Sequence, residues 1–109
     1  MKDPHETPPT WTLLTRHAHA LLRLHARPRT TLRSLALYLD ITERSAQRIV
    51  ADLEAEGLLA HRRVGRRNSY QVHLEGTLRH PLEQGRPALD WIAPNLKQAD
   101  ADDRKEGDR

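Results

Sequence analysis

Apolar positions recur with helical spacing in three stretches of the chain. In the first, Trp11, Leu14, Ala18, Leu21 and Leu22 fall at i, i+3, i+7, i+10 and i+11, one stripe of a helix. Thr10 is the expected N-cap, the helix runs to about Ala26, and Pro28 stops it. The second begins near Thr31, where Leu32, Leu35, Ala36 and Leu39 repeat at i, i+3, i+4 and i+7, and it ends at Asp40. The third follows at once. Thr42 can accept a free N–H of the first turn, and Ala46, Ile49, Val50 and Leu53 keep the same spacing. Gly57 stands where a left-handed residue closes a helix. Only Asp40 and Ile41 separate the second helix from the cap of the third, which forces a sharp angle with Ile41 at the corner: a helix-turn-helix unit.

After Gly57 the period changes to 2. Leu59, His61 and Arg63 alternate with Leu58, Ala60, Arg62 and Val64. Gly65-Arg66-Arg67-Asn68 reads as a turn, and Ser69 to Leu74 as a second strand with Tyr70, Val72 and Leu74 on one face. A short last helix is expected around Ala88, Leu89, Trp91 and Ile92, with Pro87 near its start. The predicted class is α+β, mainly α: three helices, a β-hairpin wing and a C-terminal helix, the order of a winged helix-turn-helix. Residues 1–9 carry three prolines and no apolar pattern, and 97–109 are charged without a large apolar residue. Both read as disordered, leaving 10–96 as the single folded domain.

Composition narrows the partners. With no Phe and one Met, the core rests on Leu, Ile, Val and Ala, and Trp11, Tyr38, Tyr70 and Trp91 are the aromatics. The absence of Cys excludes a disulfide scaffold and a Cys-based zinc finger, and fits a reducing cytosol. No apolar run approaches the roughly 18 residues of a membrane span, and the first ten residues lack the apolar stretch of a signal peptide, so a cytoplasmic, nucleoid-associated protein is expected. From Thr10 to His80 there are twelve Arg, no Lys and six acids, while Lys97 to Arg109 holds four bases and five acids. The basic character belongs to the folded part, which points to a polyanion.

The third helix supplies the candidate chemistry. At about 100° per residue from Ala46, its buried set centres at about 350°, with Arg44 at about 160° and Arg48 at about 200°. Both Arg therefore point away from the core, flanked by Ser45 and Gln47, while small Ala51 and Ala55 leave the outer face open. Arg can bond guanine O6 and N7 in the major groove, and Gln can pair with adenine. The hairpin adds Arg62, Arg63, Arg66, Arg67 and Asn68, suited to phosphates or to a narrow minor groove. A merely solvated helix face and a charged, solubilising hairpin edge are the plain alternatives.

The stretch TTLRSLALYLDITERSAQRIVADLEAEGLLAHRRVGRRNSYQV, about Thr30 to Leu74, resembles the helix-turn-helix and wing of MarR-like and ArsR-like regulators. The order of its pieces, with LEAEGLL leading from helix to wing, carries the likeness. The resemblance implies that Thr42, Ser45, Gln47 and Arg48 face the groove and that Arg66 and Arg67 form the wing tip. The chain is shorter than MarR-like proteins and lacks their long terminal helices; it also lacks the Cys of metal-sensing ArsR-like proteins.

The expected function is sequence-specific binding of double-stranded DNA by a transcriptional regulator, with a homodimer pairing through Trp11 and Trp91. Intramolecular packing of the two Trp is the alternative to that pairing. Rival functions are a winged helix used for protein docking and a sequence-tolerant architectural DNA binder. No catalytic site, cofactor or metal is expected. His17, His19 and His25 lie on one predicted helix without the i, i+4 spacing of a zinc pair, and there is no Gly-rich phosphate loop and no nucleophile beside an evident base.

Overall fold

Threonines begin all three of the predicted helices. The computed structural model describes residues 7–96, so the tail over 97–109 and all but 7–9 of the N-terminal arm lie outside the described residues. Helix α1 spans Arg16–Ala26, α2 Leu32–Leu39 and α3 Glu43–Ala55. Before each stands a Thr in extended backbone whose hydroxyl accepts a first-turn N–H: Thr15 from Ala18, Thr31 from Ser34, Thr42 from Ser45.

The start of α1 differs from expectation, with Thr15 rather than Thr10 as cap. An extra turn would have nothing to pack on, since Trp11 is 69% exposed and Leu13 91%. A helical turn gains its stability mainly from burying a face, and β-branched Thr10, Thr12 and Thr15 add little propensity of their own. The buried face of α1 is also broader than one stripe, with Ala20 and Leu24 fully buried beside Leu21 and Leu22. Helix α1 packs on α2, α3 and the second strand at once, so it is covered from several sides.

The link between α2 and α3 forms as its residues predict. Asp40 adopts a left-handed conformation (φ 57°), uncommon for a residue with a side chain but tolerated by Asp. Its N–H reaches the carbonyls of Ala36 and Leu37, and the Ile41 N–H reaches Ala36 O at 3.0 Å, closing the end of α2. Ile41 packs half-buried against the core. Gly57 closes α3 at φ 75°, and the Leu58 N–H bonds to Leu53 O.

Strands β1, Leu59–Val64, and β2, Arg67–Val72, form an antiparallel hairpin with Leu59 opposite Val72 and Val64 opposite Arg67. Its turn is therefore two residues, Gly65 and Arg66, and not the four expected from Gly65 to Asn68. Gly65 has φ 63° and takes the first central position, the choice of a type II′ turn, whose twist matches that of the strands. Arg67 and Asn68 thus belong to β2, and of the expected tip pair only Arg66 sits in the turn. Leu74 is buried but lies past the end of β2.

A last helix, α4, occupies residues 88–96, with Ala88 and Ile92 buried at i and i+4. Leu89 and Trp91 of the same helix are exposed. The chain before α4 is tied down by bonds from Ala88 N to Gly76 O and from Leu89 N to Leu74 O. One buried cluster joins the four helices and the hairpin, and its most enclosed large side chains are Leu24 and Leu35. No helix among the described residues is long and apolar enough to cross a membrane.

Candidate nucleic-acid interface

Charge is divided along α3. Its core face buries Ala46, Ile49, Val50 and Leu53, and Arg44, Gln47, Arg48 and Ala51 are exposed. The carboxylates of its later half are each tied to another element. Asp52 meets His17 of α1 at 2.9 Å, and Glu54 meets His61 of β1 at 3.1 Å. Glu56 accepts a fork of bonds from Arg79, one of them at 2.9 Å from Nε. The Arg79 hydrogen bonds hold the Glu56 carboxyl below its usual range and raise the Arg79 guanidinium.

Arg44 and Arg48 have no such ties, and neither pairs with a carboxylate among the described residues. Apart from Glu43 in the first turn, the arrangement runs against the helix dipole, which favours acids near the N-terminus and bases near the C-terminus. Asp52, Glu54 and Glu56 are accounted for by the elements they tie together. Arg44 and Arg48 have no such partner among the described residues.

Thr42 and Ser45 stand at the exposed start of α3 with their hydroxyls engaged. Thr42 Oγ1 accepts the Ser45 N–H at 3.1 Å and donates to Ser45 Oγ at 3.0 Å. Thr42 is thus first a cap, and the exposed groups left for an outside partner are Arg44, Gln47, Arg48 and the Ser45 hydroxyl proton.

The hairpin splits its basic residues between two faces. Arg63 and Asn68 are paired across the strands and share a side with buried Leu59 and Tyr70. Arg62 and Arg67 share the other side as diagonal neighbours, across from Ser69 and Val64 respectively. Arg66 projects from the turn, and all four Arg are exposed.

Residues outside the expected set join this end of the molecule. The Tyr70 N–H donates to Pro28 O at 2.8 Å, so the free edge of β2 is stitched to the turn between α1 and α2. That bond brings Arg29, Thr30 and Thr31 to the turn end of the hairpin, where with Arg63, Arg66 and Arg67 they line a cleft of about 160 Å³. An adjoining cleft of about 490 Å³ is lined by Arg23, Arg27, Arg29, Thr31, Ser34 and Arg67 among others. No residue of α3 lines either cleft. The expected site residues therefore fall into two groups, the α3 face and the hairpin with its neighbouring turn. The pairing of turn with hairpin is non-local; the only local signal for it was the Arg-rich run from Arg23 to Arg33.

Comparison with known proteins returns no matching family model, no matching curated protein and no matching solved structure.

Proposed function

We propose that this chain is a winged helix-turn-helix protein that binds duplex DNA sequence-specifically and regulates transcription. The observation that carries the reading is the exposed Arg44, Gln47 and Arg48 face, without carboxylate partners among the described residues, on a helix that follows a short closed turn. In this reading α3 enters the major groove, where Arg and Gln side chains can meet base edges, and small Ala51 lets the helix approach closely. The hairpin is the wing, its Arg62, Arg63, Arg66 and Arg67 set on phosphates or in the adjacent minor groove. Phosphate contacts supply affinity and register, and α3 supplies the choice of sequence.

A single module of this size reads few bases, so two-fold pairing on two half-sites is part of the proposal. The apolar surface left uncovered supports it: Trp11, Leu13 and Trp91 are all exposed, and no Trp11–Trp91 ring contact occurs among the described residues.

Selection of bound duplexes from a random pool tests the reading. A recovered inverted repeat with fixed bases in each half is the expected result. Recovery of DNA without a shared sequence would mean a sequence-tolerant binder. No recovery above background would overturn the proposal and leave protein docking as the better account.

A further inference from the structure

The two adjoining clefts between the α1–α2 turn and the turn end of the hairpin hold a concentration of cation that neither the core nor the α3 face requires. Arg29, Thr30, Thr31 and Arg67 line both. No Asp or Glu lines either one, and Arg29, Arg63, Arg66 and Arg67 form no ion pair with a carboxylate among the described residues. Four guanidinium groups facing one space repel each other unless an anion sits between them. The Tyr70–Pro28 bond holds the two walls together, so the backbone segments that carry Arg29 and Arg67 are kept side by side.

Hydroxyl donors are present beside them. Thr31 Oγ1 accepts the Ser34 N–H and donates to Ser34 Oγ, which leaves the Ser34 hydroxyl proton without a partner among the described residues. Arg23, which lines the larger cleft, is held at 4.4 Å over the Tyr38 ring, which orients it.

We infer that this cleft is a phosphate-binding site, with the Arg29 and Arg67 forks as principal ligands and the Ser34 hydroxyl as an added donor. Guanidinium forks match the paired oxygens of a phosphate, and several forks around one space suit an anion with more than one charge. The phosphate has two possible sources, the backbone of bound DNA and a free polyphosphate compound. Only the first rests on the DNA-binding reading.

The test uses the full chain and Arg29→Ala with Arg67→Ala, two exposed positions whose loss leaves the core intact. Inorganic pyrophosphate is titrated at constant ionic strength while backbone amide resonances are followed. Wild type is expected to show saturable shifts at Arg29 to Ser34 and at Arg67, and the double variant to bind at least about tenfold more weakly. In parallel, affinity for one labelled duplex is measured against salt. If the site takes a DNA phosphate, Arg29→Ala by itself, a position outside the proposed wing, lowers the slope of log affinity against log salt by about 1 unit. If it takes a free polyphosphate, pyrophosphate binding is weakened in Arg29→Ala as in the double variant, while Arg29→Ala, outside the proposed wing, leaves the DNA slope unchanged. Saturable pyrophosphate binding by a wild type that binds no DNA would keep the cleft and remove the DNA reading. The wild-type titration needs no variant to fold, and absence of saturable shifts together with an unchanged slope would overturn the inference.

Discussion

Arg48 and Thr42 lie on the same exposed end of α3 and do different work. The Thr42 hydroxyl is spent on the helix start, whereas Arg48 has no carboxylate partner among the described residues. A side chain of the second kind contributes little to stability, so its removal should be felt in binding. Arg48→Ala is expected to weaken affinity for a selected duplex by about 1–3 kcal/mol and to relax preference at one base position. The melting temperature should stay near that of wild type. Equal losses on selected and scrambled duplexes would mean that Arg48 touches only phosphate.

Among the elements, α3 and the hairpin depend on two glycines in left-handed conformations, Gly57 and Gly65. A Cβ added at Gly57 would meet no atom within 4 Å, so substitution there tests conformation apart from crowding. Gly57→Ala should destabilise the protein by about 1–2 kcal/mol, and Gly57→Asn by less, because Asn tolerates this region better. Denaturant unfolding of the two variants checks the order; equal stability of both with wild type would remove the argument. For the hairpin, Arg66 and Arg67 stand at and just past the turn, away from the core. Arg66→Ala with Arg67→Ala should lower the slope of log affinity against log salt by about 1–2 units while the selected sequence stays the same. A lost preference for A·T-rich flanks would mean that the pair senses minor-groove width instead. An unchanged slope with unchanged affinity would take the hairpin out of the interface.

At the scale of the molecule, the core leaves an apolar region uncovered between the segment before α1 and α4. A groove of about 260 Å³ is lined by Leu13, Leu14, Leu78 and Trp91 among others, and Trp91 is 44% exposed beside it. It joins the segment before α1 to α4, and the basic clefts are lined by other residues. Pairing through it would leave the proposed DNA-facing residues uncovered. Sedimentation at micromolar concentration should show a dimer, and Trp91→Ala should shift it toward monomer with the fold retained. A wild type that is monomeric with and without DNA would sink the dimer.

The sequence by itself determined the parts of this protein that depend on neighbours along the chain. The bounds of α2 and α3, the Thr31 and Thr42 caps, the left-handed Gly57 and the outward direction of Arg44 and Arg48 all follow from local spacing and capping chemistry. The start of α1 did not, because Thr10 and Thr15 are equally good caps in sequence and only the extent of the core beneath Trp11 and Leu13 chose between them. The hairpin turn was placed correctly but made too long, since two or four residues fit the same Gly-to-Asn string until cross-strand pairing fixes the register. Which residues of the last helix reach the core was likewise left to the tertiary structure, which buries Ala88 and Ile92 and exposes Leu89 and Trp91. The cleft between Arg29 and Arg67 was not legible at all. Its walls are distant in sequence and meet only because the edge of β2 had an N–H to satisfy and the carbonyl of Pro28 was there to accept it.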